Sequence, residues 1–247
     1  MPKAVVFAGT TEGRQISNHL AKSGVDVSMC VATEYGRKIA GETNHVFVHT
    51  GNMNAQEMRE FIKPCSYVVD ATHPYAYEAT KNIKQACDEE KKPYYRLLRP
   101  PGNTAGCLVM ENAEQVAKFL KDKEGNVLLT TGSKDLMAYR DLDVSRLYPR
   151  VLPTHESLKL CEGLCVPQEN IICMHGPFSV SMNRALLKST ASKFLVTKDS
   201  GVAGGYQEKL EAAQKEKVTV IVIGRASKEE GYTMQRLKSV LMDRYGE

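Results

Sequence analysis

Short β-branched runs alternate with helix-spaced apolar residues along nearly the whole chain. AVVFAG, residues 4–9, reads as a strand, and TTEGRQISNHLAKSG follows it with Ile16 and Leu20 at helical spacing and Gly24 as a stop. VDVSMCVAT then predicts a second strand with YGRKIAGE as a short helix. HVFVHTG predicts a third with MNAQEMREFIK behind it. SYVVDATHP is the fourth strand, the stretch from Tyr75 to Lys91 is helical, and PYYRLLRP is the fifth strand.

A crossover containing Gly102, Gly106 and the helical ENAEQVAKFLKDK opens a second round. NVLLTTGSKD, RVLPT, NIICMHGP, KFLVTKDSG and VTVIVIGR read as strands with polar exits. HESLKLCEGL, FSVSMNRALLKS, GYQEKLEAAQKE and YTMQRLKSVLMDRYG supply helices among and after them. Such alternation argues an α/β protein with parallel sheets. About ten strands exceed one compact doubly wound sheet, so the pattern predicts two Rossmann-like parallel-sheet domains. These are expected at residues 1–105 and 106–247, with the boundary between 99 and 126 and an inter-domain active-site cleft.

No apolar run is long enough to span a bilayer, and the N-terminus enters a strand without a signal-peptide pattern, so a cytoplasmic protein is expected. Seven irregularly spaced cysteines do not suggest a disulfide framework. The nearest thing to a metal cluster, Cys161 and Cys165 with Cys173 and His175 beyond, lacks the tight pairing that zinc uses, and no metal is expected. With 33 basic and 29 acidic residues the net charge is +4, too balanced for a nucleic-acid binder but compatible with a basic pocket for an acidic small molecule.

Polar residues collect at five strand exits: GTTEGR, DATHPYA, TTGSKD, MHGPFS and TKDSGVAGG. Ligands of parallel sheets sit at such exits, although single Thr, Ser or Asp residues there are also ordinary helix caps. GTTEGR has the context of a dinucleotide loop but spaces its glycines GxxxG instead of GxGxxG, and Glu12 would repel phosphate. TTGSKD is the better phosphate cradle, with Gly132 for close approach, Ser133 as donor and Lys134 as charge; Gly176 and Pro177 repeat the idea. Lys198 and Asp199 can bind or protonate a substrate, and Arg14, Arg96, Arg99 and Arg225 suit planar carboxylates. Without a GxSxG elbow, His73 reads as a general acid or hydrogen-bond donor, against a plain helix-capping role.

Taken in order, GTTEGR, DATHPYA, RLLRP, TTGSK, HGPFS and TKDSG–GG–EK resemble the precorrin-6A and cobalt-precorrin-6A reductases of corrin-ring (vitamin B12) biosynthesis over nearly the whole chain. The resemblance implies reduction of one carbon–carbon double bond in an acidic tetrapyrrole, with NADPH or NADH as hydride donor. It implies a nucleotide site at Thr131, Gly132, Ser133, Lys134, Gly176 and Pro177. Substrate would meet Thr10, Thr11, Glu12, Arg14, Arg96, Arg99, Lys198, Ser200 and Gly201. Proton delivery would fall to His73, Tyr75 or Asp199, with water left open. Glu34 and Arg37 pull opposite ways on the choice between NADH and NADPH if the nucleotide sits on the first half. Contacts with neighbouring corrin-pathway enzymes fit the same reading. A tetrapyrrole carrier, or an S-adenosylmethionine-dependent tetrapyrrole methyltransferase, remains the alternative.

Overall fold

The computed structural model describes residues 2–32, 34–40, 44–201, 204–225 and 230–246. Thr33, Gly41, Glu42, Val202 and Ala203, which the pattern assigns to a strand end, a short helix and a glycine-rich loop, lie outside these ranges. The chain divides into two units, residues 1–100 with 228–247, and residues 101–227.

In the first unit β1 (Lys3–Ala8), β2 (Asp26–Val31), β3 (Val46–Thr50), β4 (Tyr67–Ala71) and β5 (Tyr94–Arg96) form a parallel sheet in the order β3-β2-β1-β4-β5. Helices α1 (Thr11–Lys22), α2 (Glu34–Ala40), α3 (Ala55–Ile62) and α4 (Tyr77–Glu89) return the chain between strands. β1 is apolar throughout because both its faces are covered: Ala4, Val6 and Ala8 enter one core cluster, Val5 and Phe7 another. Helix α1 shows how local chemistry sets an element. Thr10 caps it by accepting the Gly13 N–H at 3.1 Å, and Ile16 and Leu20 are fully buried one turn apart. It ends in a Schellman turn, with Gly24 N–H on Ala21 O and Val25 N–H on Leu20 O, and Gly24 takes the left-handed φ of +81° that this turn requires. Gly13 lets the helix lie close to β1, since a Cβ there would come within 2.8 Å of Ala8 Cα.

The second unit holds β6 (Leu108–Met110), β7 (Asn126–Leu129), β8 (Leu147–Val151), β9 (Ile172–Cys173), β10 (Ser192–Lys198) and β11 (Thr219–Ile223), all parallel, in the order β6-β11-β10-β7-β8-β9. Side chains of α5 (Ala113–Lys121) and α6 (His155–Gly163) join the core on one face, and those of α7 (Val180–Ser189) and α8 (Tyr206–Glu216) join it on the other. β6 is absent from the sequence pattern. It is three residues long and leaves Leu108 and Val109 exposed at the sheet edge, so nothing in it alternates strongly enough to stand out.

After β11 the chain rejoins the first unit. Tyr232 donates its N–H to Arg96 O at 2.8 Å, and Leu98 donates to Tyr232 O at 2.8 Å, forming a parallel bridge beside β5. Helix α9 (Met234–Tyr245) then buries Leu237 and Leu241 in the cluster that contains Ile16, Leu20 and Tyr67. Tyr245 stacks on Tyr67 with ring centres 4.1 Å apart, and Arg244 donates to the Tyr95 hydroxyl at 3.0 Å. The linear division at 105/106 therefore gives way to an interrupted one. The last helix, expected in the second domain, belongs to the first because its apolar face completes that core.

Replacing Leu237 with Ala should cost about 2–5 kcal/mol, seen as an earlier urea midpoint in the tyrosine near-ultraviolet dichroism. A midpoint equal to that of the parent protein would show that α9 does not carry this load.

Candidate active site

Each sheet reverses its lateral growth once, between β1 and β4 in the first unit and between β7 and β10 in the second. Ligands of open parallel sheets bind beyond the carboxyl ends of the strands at such points. GTTEGR and DATHPYA leave the first pair of strands, and TTGSKD and TKDSG leave the second.

In the first unit, Thr10 Oγ1 donates to Ala71 O at 2.9 Å while capping α1, which ties the exit of β1 to the end of β4. Arg14 lies half-buried on α1 and reaches Thr11 Oγ1 at 3.5 Å. Glu12 pairs with Arg99 at 2.5 Å. Burial pushes the Glu12 carboxyl up, but the Arg99 hydrogen bond, the Glu12 backbone N–H and the Arg99 charge outweigh it and leave it below the usual carboxylate range.

Asp70, wholly buried near the end of β4, accepts four hydrogen bonds: from Thr72 N at 3.0 Å, Thr72 Oγ1 at 2.7 Å, Tyr94 OH at 2.9 Å and Arg96 Nη1 at 3.0 Å. Arg96 is only 4% exposed and also donates to Thr72 O. The sequence reading casts Arg96 and Arg99 as holders of substrate carboxylates. In the fold each is buried against a carboxylate of the chain itself, because a charge in the interior must be paired there. The result is a pinned loop. His73 and Tyr75 are half-buried on it, with the Tyr75 N–H donated to His73 Nδ1 at 3.4 Å and ring centres 5.6 Å apart. No side chain caps α4, whose N-cap is Ala76, so the polar residues of this loop are not there to start the helix.

In the second unit, Thr130 directs both its N–H and its hydroxyl to Val196 O, each at 2.8 Å, joining the exits of β7 and β10. Thr131 Oγ1 is buried, and the buried Tyr139 hydroxyl is its hydrogen-bonding neighbour. Gly132 adopts a φ of +86°, and the position of a Cβ there faces open space. Ser133 Oγ lies 3.2 Å from Ser157 Oγ on α6, and Lys134 is exposed. The loop runs into a single 3-10 turn, Leu136–Tyr139. Lys198 pairs with Asp135 at 2.5 Å. Asp199 accepts the Gly102 N–H on both oxygens at 2.9 and 3.0 Å and the Gly201 N–H at 3.2 Å, with Arg225 Nε at 3.4 Å. Gly102 is confined, since a Cβ would fall 2.5 Å from the Tyr206 ring. Ser200 closes the loop by donating to Gly204 O at 3.1 Å. Pro177 and Phe178 approach Gly205 at the start of α8, so the HGPFS segment does join the switch-point loops.

Sequence reasoning passed over one buried cation here, Arg150 on β8, and gave no role to another, Lys209 on α8, the last residue of the TKDSG–GG–EK motif. Lys209 had left a signal: it stands on the stripe of Tyr206, Ala212 and Ala213, where helical spacing puts core residues.

Residues 3–242 match the family described as Precorrin-6x reductase CbiJ/CobK. The chain is 33% identical over 245 residues to the cobalt-precorrin-6A reductase of Priestia megaterium, covering 96% of each protein. It is 34% identical over 228 residues to the cobalt-precorrin-6A reductase of Methanothermobacter thermautotrophicus, covering 90% of this chain and 76% of the relative. A solved structure named CobK precorrin-6A reductase shares the fold, with a TM-score of 0.78 at 22% identity over 100% of this chain and 98% of that one. A match running from Lys3 to Met242 takes in both sheets and all the loops above, so the chain belongs to the precorrin-6x reductases, oxidoreductases of cobalamin biosynthesis that act on precorrin-6A or its cobalt form.

Proposed function

We propose that this chain reduces the tetrapyrrole with NADPH or NADH held at the second unit's switch point, through Thr131, Gly132, Ser133 and Lys134 with Gly176 and Pro177. The observation that carries the placement is a left-handed Gly132 facing open space between Thr131 and Ser133, with the exposed Lys134 next to them. Phosphate oxygens approach a backbone most closely where no Cβ intervenes. The first unit's loop is less suited, because Glu12 and its Arg99 partner occupy the start of α1.

A nicotinamide nucleotide supplies the hydride when bound. The chain's own residues bind and orient. Arg14, Lys198, Ser200 and Gly201 offer donors to carboxylates, with Thr10, Thr11 and Glu12 shaping the loop around Arg14. Proton handling falls to His73 and Tyr75. With Nδ1 accepting the Tyr75 N–H, a neutral His73 ring carries its proton on Nε2, the atom from which it is delivered. Asp199 serves as a clasp, its carboxylate holding Gly102, Gly201 and Arg225. Arg96 and Arg99 position their loops.

Anaerobic fluorescence titration with NADPH and NADH, followed by precorrin-6A or cobalt-precorrin-6A, tests the assignment. Binding and then substrate-dependent oxidation are expected, with Lys134→Ala weakening nucleotide affinity about tenfold. Failure of both nucleotides to bind, with or without tetrapyrrole, would leave the carrier reading in place. His73→Ala should lower kcat by about a hundredfold at unchanged nucleotide Kd and unchanged Tm, whereas a loss below about threefold would assign the proton to water. Arg14→Ala should raise KM for the tetrapyrrole roughly tenfold while kcat holds; a fall in kcat at constant KM would remove Arg14 from carboxylate binding.

A further inference from the structure

The second sheet carries a polar row that the nucleotide and substrate assignments leave unused. Leu129 is in register with Pro149 on one side and Val196 on the other, so Arg150, Thr130 and Thr197 form the next rank across β8, β7 and β10. Tyr148, Leu128 and Leu195, two residues earlier on each strand, all pack in the cluster formed with α7 and α8. Alternation therefore turns the polar rank to that same face, beneath the start of those helices.

Two cations are buried along this row. Arg150 is 8% exposed, donates Nη1 to Asn183 Oδ1 at 2.8 Å and stacks on Phe178 at 4.0 Å. Lys209 is 6% exposed and donates Nζ to Thr197 Oγ1 at 2.7 Å. Among the described residues neither has a carboxylate within 4.0 Å, in contrast to Arg96, Arg99 and Lys198, each of which has one. Interior charges are normally paired, and two neighbouring like charges left without a counterion are strongly unfavourable in the empty protein. The roof above them is the Gly176–Phe178 segment and Gly205, with the N-terminus of α8 starting on a left-handed glycine that offers no side-chain cap. The Glu208 carboxylate on the first turn of α8 is buried at this glycine, its Oε2 3.9 Å from where a Gly205 Cβ would stand.

We infer that Arg150 and Lys209 form a buried oxyanion subsite of the second unit, roofed by the Gly176–Phe178 segment. The anion is a phosphate of the nucleotide, resting on the nucleotide placement above, or a carboxylate of the tetrapyrrole; both present the same chemistry to a guanidinium and an ammonium.

The charge state of Lys209 agrees with an empty anion site. Burial first, and the Arg150 charge second, push its ammonium down to about 7, against the opposing pull of Glu208 on its own helix and Asp199 beyond β10. Asp199 is itself paired with Arg225 beyond β11, and α7 faces the site with the neutral Asn183. A lysine depressed in the folded state costs stability in full below the folded value, and the cost fades as pH rises towards the unfolded value. An arriving oxyanion restores the proton.

Calorimetric titration at pH 8 in two buffers of different ionisation enthalpy, on the parent protein, Lys209→Met and Lys209→Arg, reads this directly. The probes are NADPH, sodium phosphate and precorrin-6A. The parent should take up close to one proton with the occupying probe. Lys209→Met should bind that probe at least tenfold more weakly without uptake, and Lys209→Arg should retain affinity without uptake. Without ligand, Lys209→Met should melt a few degrees above the parent below pH 7, with the gap closing towards pH 10. A structural lysine would instead lower the melting temperature on replacement. Uptake with NADPH or with precorrin-6A names the source, and sodium phosphate competing with NADPH alone confirms phosphate. Equal affinities in parent and Lys209→Met for every probe, or a less stable unliganded Lys209→Met, would overturn the subsite. NADPH that binds equally to both proteins overturns only its nucleotide source, and NADPH that does not bind the parent refutes the nucleotide placement. In either case the subsite stands or falls on the other two probes, and no binding of any probe overturns it.

Discussion

Two parallel strands cannot be joined by a hairpin. The chain must leave the carboxyl end of one strand and travel back, usually through a helix, before the next can pair. In this protein both sheets obey that constraint throughout, so the strand exits of each unit face the same way and the polar residues that cannot enter the core accumulate there. Neighbouring exits are then fastened to one another, Thr10 to Ala71 in the first unit and Thr130 to Val196 in the second. The chemistry of both units sits on those fastened edges.

Buried charge decides what each exit does. Asp70 is held by Thr72, Tyr94 and Arg96 and fixes the loop that carries His73. Asp199 is held by Gly102, Gly201 and Arg225 and fixes the loop before α8. Both carboxylates are satisfied from within the chain. Arg150 and Lys209 are not neutralised that way, and this difference separates groups that hold the fold from groups that await an anion.

Much of this was legible in the sequence. Local signals carried the helix starts and stops, as with Thr10, Ile16, Leu20 and Gly24, and the order of the loop motifs carried the family. What escaped depended on contacts distant in sequence. The partners of Arg96 and Arg99 lie 26 and 87 residues away, and a one-dimensional pattern assigns an arginine no partner. β6 is too short and exposed to show a period. The destination of α9 is set by which core has room for Leu237 and Leu241, and amphipathicity alone does not encode that. Lys209 was visible as an interruption of an apolar stripe, yet its meaning needed the register that brings Arg150 and Thr197 into one rank.

The interrupted first unit has a consequence for biosynthesis on the ribosome. Domains commonly fold in the order in which they emerge, the N-terminal one first. Here the segment 101–227 is continuous and has all its strands as soon as β11 leaves the exit tunnel. The first sheet, although translated earlier, lacks Leu237, Leu241 and Tyr245 until α9 has been made. The unit made first is therefore the unit finished last, and during that wait the apolar faces of Ile16, Leu20 and Tyr67 depend on chaperones or on partial collapse for cover.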